Sequence, residues 1–177
     1  MGKYHFELLA KYNKKANNLM NNVIITLTEE QWNKKFTGYF NSIHEICSHI
    51  YFWDYNWFKR YKLLRNFNCF TDGFIDKYDA YVKILFSNIK EYVIMRNDMD
   101  KKIIEFINEI TENDLENILE YKTKKGIVLE KRMDGLLIHL FNHQTHHRGM
   151  ISLYLEMLGK ENNYNNILPL VYKEDIM

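Results

Sequence analysis

Apolar residues along this chain recur mostly at steps of three and four, the period of helices that bury one face. From about residue 4 to 27, Leu9, Tyr12, Ala16, Leu19, Met20, Val23 and Leu27 form one such stripe, with Lys and Asn between them. A second helix is expected behind Ser42. Glu45 follows three residues later, the spacing of a capping box, and Ile46, His49, Ile50, Trp53 and Trp57 then carry the stripe toward Leu64. A third pattern runs from about Asp79 to Ile110 through Val82, Leu85, Phe86, Ile89, Val93, Met99, Ile103 and Phe106, with "RNDMD" as the place where it would bend or break. The fourth runs from about Asp134 to Leu158, and Gly159 is a natural stop.

The period changes once. "NILEYKTKKGIVLEKRM" offers two β-compatible runs around a Lys-Lys-Gly turn, which predicts a small hairpin leaning on the helices. A short apolar tail, "ILPLVYKEDI", follows the last helix and is expected to dock on the bundle. The single proline, Pro169, lies near the end, so nothing interrupts the long helices. The pattern predicts an all-α four-helix bundle with a β-hairpin insertion before the last helix, in a single domain over 1–177.

Composition narrows the function classes. The 177 residues are 46% hydrophobic and 15% aromatic, enough for a sizeable core. The 24 basic and 23 acidic residues are interleaved and sum to +1, which leaves no electrostatic footprint for nucleic acid or anionic lipid. No run reaches the length of a membrane span, and "MGKYHFELLAKYNKK" lacks the apolar core of a secretory signal. Phe6 stands where a myristoylation motif needs Ser or Thr. A cytoplasmic address is expected, and the two cysteines, Cys47 and Cys69, are expected reduced, with Cys47 packed in the core.

The candidate chemistry lies in "HLFNHQTHHRGMI", where His139, His143, His146 and His147 account for four of the seven histidines. The inward stripe of this helix reads Leu136, Leu140, His143, His147 and Ile151. Imidazoles four residues apart stack on one helix face and can reach one ion. His49, inward on the second helix, supplies a third arm. Such ligands select Zn, Ni, Co, Cu or Fe over Mg or Ca, and three of them leave a position open. The alternative is that these are core histidines satisfied by hydrogen bonds.

His139 is expected to extend the stripe as a supporting group or spare ligand, and His146 to face the surface or pack on a helix. His44 and His5 are expected to be structural. Glu45 and Asp54 are candidates to orient an imidazole or act as a base; the alternatives are a helix cap for Glu45 and a surface salt bridge for Asp54. The glycine after Arg148, Gly149, suggests close approach of a helix or ligand.

The chain resembles the DinB-like superfamily of metal-binding four-helix bundles. The superfamily's last helix reads Asn-His, three residues, then His-Arg-Gly-Gln, matched here by Asn142-His143 and His147-Arg148-Gly149. "SIHEICSHIYFWDYNW" is similar to its second helix, with His49, Asp54 and Trp57 at the family's His, Asp and Trp positions. "YNKKANNLM" and the hairpin extend the likeness over nearly the whole chain. Met150 departs from the motif, standing where the family has Gln. The resemblance implies metal ligation by His49, His143 and His147, usually of Zn or Ni, and frequent homodimers. Relatives include bacillithiol S-transferases and a mycothiol-dependent maleylpyruvate isomerase, which implies a metal-dependent enzyme acting on a small-molecule thiol and electrophile. A metal-dependent hydrolase and a non-catalytic metal-binding stress protein are the alternatives.

Overall fold

The structure, a computed structural model, describes residues 1–70, 73–76, 82–123 and 125–171. Its elements are α1 (Lys3–Ile24), α2 (Glu29–Asn33), α3 (Ile43–Tyr61), α4 (Ile89–Glu109), α5 (Glu112–Glu116), β1 (Ile118–Lys122), β2 (Val128–Arg132) and α6 (Met133–Met157). The four long helices form an all-α bundle in which α1 and α3 each pack against both α4 and α6. The short helices α2 and α5 are single turns in the connections. Each is held by a capping box, Thr28 with Gln31 and Thr111 with Asp114.

The expected hairpin is present. β1 and β2 pair antiparallel from Ile118 opposite Arg132 to Lys122 opposite Val128. Gly126, at φ +78°, makes the turn, while Leu119 is buried beneath the pair. β2 runs straight into α6, so the hairpin is fixed to the helix that carries the histidine cluster. At the far end of α6, Gly159 N–H bonds the Glu156 carbonyl at 2.8 Å and Lys160 N–H the Leu155 carbonyl at 2.9 Å. This is a Schellman stop with Gly159 at φ +70°.

Three expectations are corrected. The third helix begins at Ile89, not near Asp79; residues 82–88 are non-helical, and positions 77–81 lie outside the described residues. Asn88 caps the helix by accepting the Glu91 N–H at 2.9 Å, and Val82 is exposed rather than part of a buried stripe. Second, α4 runs unbroken through "RNDMD", because Arg96 and Asp100 point inward and are paired there. Third, the buried face of α1 is Phe6, Ala10, Asn13, Ala16, Asn17, Met20, Asn21 and Ile24, whereas Leu19 is exposed. The bundle interior therefore takes asparagines that read as surface residues in the sequence. The tail is described only to position 171, with a turn at Leu168–Leu170 in which Leu168 is exposed.

Candidate metal centre

Ser42 starts α3 by accepting the Glu45 N–H at 3.1 Å, as expected. Glu45 returns its carboxylate to the N–H of Asn41 at 3.0 Å rather than to Ser42, so the box closes one residue earlier. This start fixes the phase of α3 and points His49 toward α6. There His49 Nε2 lies 3.1 Å from His143 Nε2, and His147 Nε2 lies 3.1 Å from the same atom. One nitrogen from each of the three residues falls within 4.8 Å of the others, a grouping that could hold a metal ion.

Hydrogen bonds alone do not account for this cluster. His143 Nε2 carries either one lone pair or one hydrogen, so it can serve one neighbouring nitrogen and not two. Any neutral arrangement leaves one 3.1 Å contact unsatisfied. A tetrahedral cation with bonds of about 2.0–2.1 Å would set its nitrogens about 3.3 Å apart and satisfy all three. The donor set therefore fits a divalent transition metal. Burial, followed by repulsion from neighbouring histidines, lowers His49 to about 4 and His143 and His147 to about 3. All three are neutral near pH 7, so no proton has to be displaced from a ligand. Among the described residues the buried Nδ1 atoms of His143 and His147 meet no acceptor, and ring packing orients them.

Phe40 supplies much of that packing. Its ring lies 4.6 Å from His49 and 5.3 Å from His147, covering the cluster from the loop before α3. The loop is held to α6 by Tyr154, whose hydroxyl donates to the Phe40 carbonyl at 2.7 Å and whose ring stacks on Phe36 at 4.1 Å. Gly38 permits this approach, since a Cβ there would lie 2.6 Å from the Tyr154 hydroxyl. None of this is legible in a periodic pattern, because the loop has none.

The remaining histidines separate from the cluster. His139 is exposed, 5.3 Å from the Trp57 ring and 6.0 Å from that of His143. His146 is exposed, edge-on to His147 at 4.8 Å. His44 is structural as expected, stacked on Trp32 at 4.9 Å with Nδ1 against Asn33 at 2.9 Å. Among the described residues, a Cβ at Gly149 would meet nothing within 4 Å, so the expected close approach is absent there. Met150 is half-buried against the apolar core.

The two carboxylates are already engaged. Glu45 pairs with Lys83 at 3.0 Å in addition to its Asn41 contact. Asp54 is wholly buried, not on the surface: it accepts from Arg96 at 2.5 Å and from Gln144. It belongs to a polar layer that the periodicity did not reveal. Arg96 also bonds Asp100 at 2.8 Å, Asp100 accepts from Asn17 at 2.9 Å, and Arg148 donates to Asn13 at 2.5 Å. Two guanidinium groups and two carboxylates thus cancel in the bundle centre. Burial pushes Asp54 up to about 6 against the pull of Arg96, which it shares with Asp100. Spacing was the available signal: Asn13, Asn17 and Asn21, Arg96 and Asp100, and Gln144 and Arg148 all repeat at four residues.

Fold and site together define a four-helix bundle with an inserted hairpin and a three-histidine cluster between its second and last long helices. The DinB family profile matches residues 1–170. The chain belongs to the DinB family. It is 24% identical over 161 residues to Protein DinB of Bacillus subtilis (strain 168), covering 90% of this chain and 88% of that one. Its fold is similar to the crystal structure of a DinB-like protein (YjoA) from Bacillus subtilis, with a TM-score of 0.63 at 13% identity over 88% of this chain and 95% of the other. Among the described residues, no helix is long and apolar enough to cross a membrane.

Proposed function

We propose that His49, His143 and His147 bind one divalent transition metal, Zn or Ni, and that the protein is a cytoplasmic, homodimeric enzyme joining a low-molecular-weight thiol to an electrophile. The observation that carries this reading is that the Nε2 atoms of His49 and His147 both lie 3.1 Å from that of His143, an arrangement hydrogen bonds cannot satisfy. Three protein ligands leave a coordination position for substrate. When bound, such a metal stabilises the deprotonated form of a coordinated thiol or water and so supplies a nucleophile near neutral pH.

The chain's own part is to hold and shield. The imidazoles stay unprotonated, Phe40 packs over one side of them, and His139, against Trp57, lies 6.0 Å from His143. A thiol is favoured over water because a coordinated thiol ionises more readily, and Glu45 and Asp54, the candidate bases for activating a water, are both committed to cations. The non-catalytic stress-protein reading keeps the same ligands.

Metal content by elemental mass spectrometry on untagged protein is the first test, for wild type and His49→Ala. About one Zn or Ni per chain, lost in the variant, supports the centre; a metal-free wild type refutes it. Thiol consumption with an electrophile such as monochlorobimane then separates the readings. Turnover without thiol would favour a hydrolase, and no turnover with either would favour a binding protein.

A further inference from the structure

Beside the cluster, a cleft of about 400 Å³ opens between the hairpin, the C-terminal half of α3 and the start of α6, lined by Trp57, Tyr121, Lys131, Arg132, Leu136 and His139 among others. It is within the size range of small-molecule sites. Two aromatic rings, Trp57 and Tyr121, stand 5.8 Å apart at its wall.

Arg60 is what makes the cleft unusual. Its guanidinium lies 4.4 Å from the Trp57 ring centroid and 4.8 Å from that of Tyr121. It is half-buried and forms no ion pair among the described residues. Burial lowers its pKa, and the groups that oppose this are the Tyr121 and Tyr61 phenols rather than any carboxylate. Stacking offsets part of the desolvation cost of such a cation, but an anion would offset more. Across the cleft, Lys131 pairs with Leu119 in the hairpin register and Tyr121 with Leu129, so these four share the inner face. Glu120 and Glu130 oppose each other on the outer face. Lys131 carries no ion pair among the described residues, whereas Arg132 is neutralised by Asp134 at 2.9 Å. Among the described residues, two cations with no counter-ion therefore flank an aromatic wall.

We propose that this cleft binds an amphipathic organic anion, its flat apolar part against Trp57 and Tyr121 and its carboxylate between Arg60 and Lys131. The proposal rests on the metal-centre reading only for what the ligand does next. Leu136 lies seven residues before His143, about 10 Å along α6 at 1.5 Å per residue, with the rings of Trp57, His139 and His143 in succession at 5.3 and 6.0 Å. A ligand anchored by its carboxylate would extend its other end past His139 toward His143. The cleft thus selects one substrate of the proposed reaction by charge and shape.

The test uses the full chain loaded with Zn and the probe 2-naphthoate, with the uncharged isostere 2-naphthamide as control, read by calorimetry and by quenching of tryptophan fluorescence. Naphthoate should bind at least about tenfold tighter than the amide, as a charge-assisted contact implies. Arg60→Met and Lys131→Met should each lose that preference, and Lys101→Met, which removes an exposed cation paired with Asp98 on α4, should keep it. Thermal melts check that Arg60→Met folds; Lys131, on an exposed strand, gives the second reading if it does not. Equal affinity for the two probes, or full naphthoate affinity in folded Arg60→Met and in Lys131→Met, overturns the proposal. In His143→Ala the metal should be lost while naphthoate binding persists, so cleft and metal centre fail separately.

Discussion

Replacing Arg96 with Met probes the polar layer at its centre. Arg96 is 1% exposed and touches Asp54 and Asp100, both equally inaccessible, at 2.5 and 2.8 Å. Met preserves much of the volume and removes the cation that pairs with both carboxylates. Breaking a buried ion pair costs about 3–5 kcal/mol, and with two anions stranded the upper figure applies. Against a total stability of about 5–15 kcal/mol, that is a third or more of the fold. Urea unfolding followed by circular dichroism at pH 7 should show the midpoint falling with the slope unchanged. The pH dependence gives the sign. Without Arg96 the folded carboxylates rise further above their ordinary 3.8, so the folded chain binds more protons than the unfolded one. Acidification from pH 7 to 5 should therefore shrink the variant's deficit. A deficit below about 1 kcal/mol at pH 7, or one that grows on acidification, would refute the charge argument and leave Arg96 as a space-filling side chain.

Four further outcomes are expected. His147→Ala should lose stoichiometric metal while His146→Ala retains it; equal loss measured by elemental analysis would mean the inward face is misassigned. In metal-free protein, His49, His143 and His147 titrate at about 4, 3 and 3 against an ordinary 6.5, so the unfolded chain takes up protons first as pH falls below 6.5. Each then costs at most about 2 kcal/mol at pH 5, and His147→Gln should flatten the loss of urea stability between pH 7 and 5; parallel curves would sink this. Gly38→Ala should push the Tyr154 hydroxyl off the Phe40 carbonyl and lower the melting temperature by an amount equivalent to about 1–3 kcal/mol, and an unchanged melt would deny Phe40 its anchor. Gln144→Leu leaves every proposed ligand in place but removes a tie between α3 and α6, so Zn affinity in a chelator competition should fall about tenfold; unchanged affinity would show that the layer does not set the site.

The histidine cluster was legible because its ligands obey the same period as the core around them: His143 and His147 sit four apart, and His49 shares a stripe with Ile46 and Trp53. The hairpin was legible from its Lys-Lys-Gly turn. Where the sequence reading failed, the cause was treating polar residues as solvent-facing. The pattern puts Asn13 and Asn17 between the apolar positions of the first helix, makes Arg96 and Asp100 a place to bend or break α4, and leaves Asp54 a surface salt bridge as its alternative, yet each is buried with a partner on another helix. A chain cannot advertise such pairs one segment at a time, since each charge is tolerable only after the others arrive. The start of α4 failed differently. Val82, Leu85 and Phe86 happen to continue the spacing backward, and the Asn88 and Glu91 cap that ends it was there to be read.

The polar layer bears directly on the cluster. Gln144 follows His143 in sequence and donates to Asp54, which lies five residues after His49 on α3. The contact that ties α3 to α6 in the interior is thus within about one turn of both elements that supply imidazoles. An apolar interior would tolerate a slide of one helix past the other at little cost, because methyl and methylene groups repack. A hydrogen-bonded carboxylate does not tolerate it: moving Gln144 by one turn, about 5.4 Å, would strand Asp54 with a single partner. The cluster needs that rigidity more than the core does, since a shift of half an ångström at 3.1 Å separates a usable ligand set from three isolated histidines. The neutrality of the layer matters for the same reason. Two arginines balanced by two aspartates add little net field at the imidazoles, so their low pKa values arise from burial and from one another.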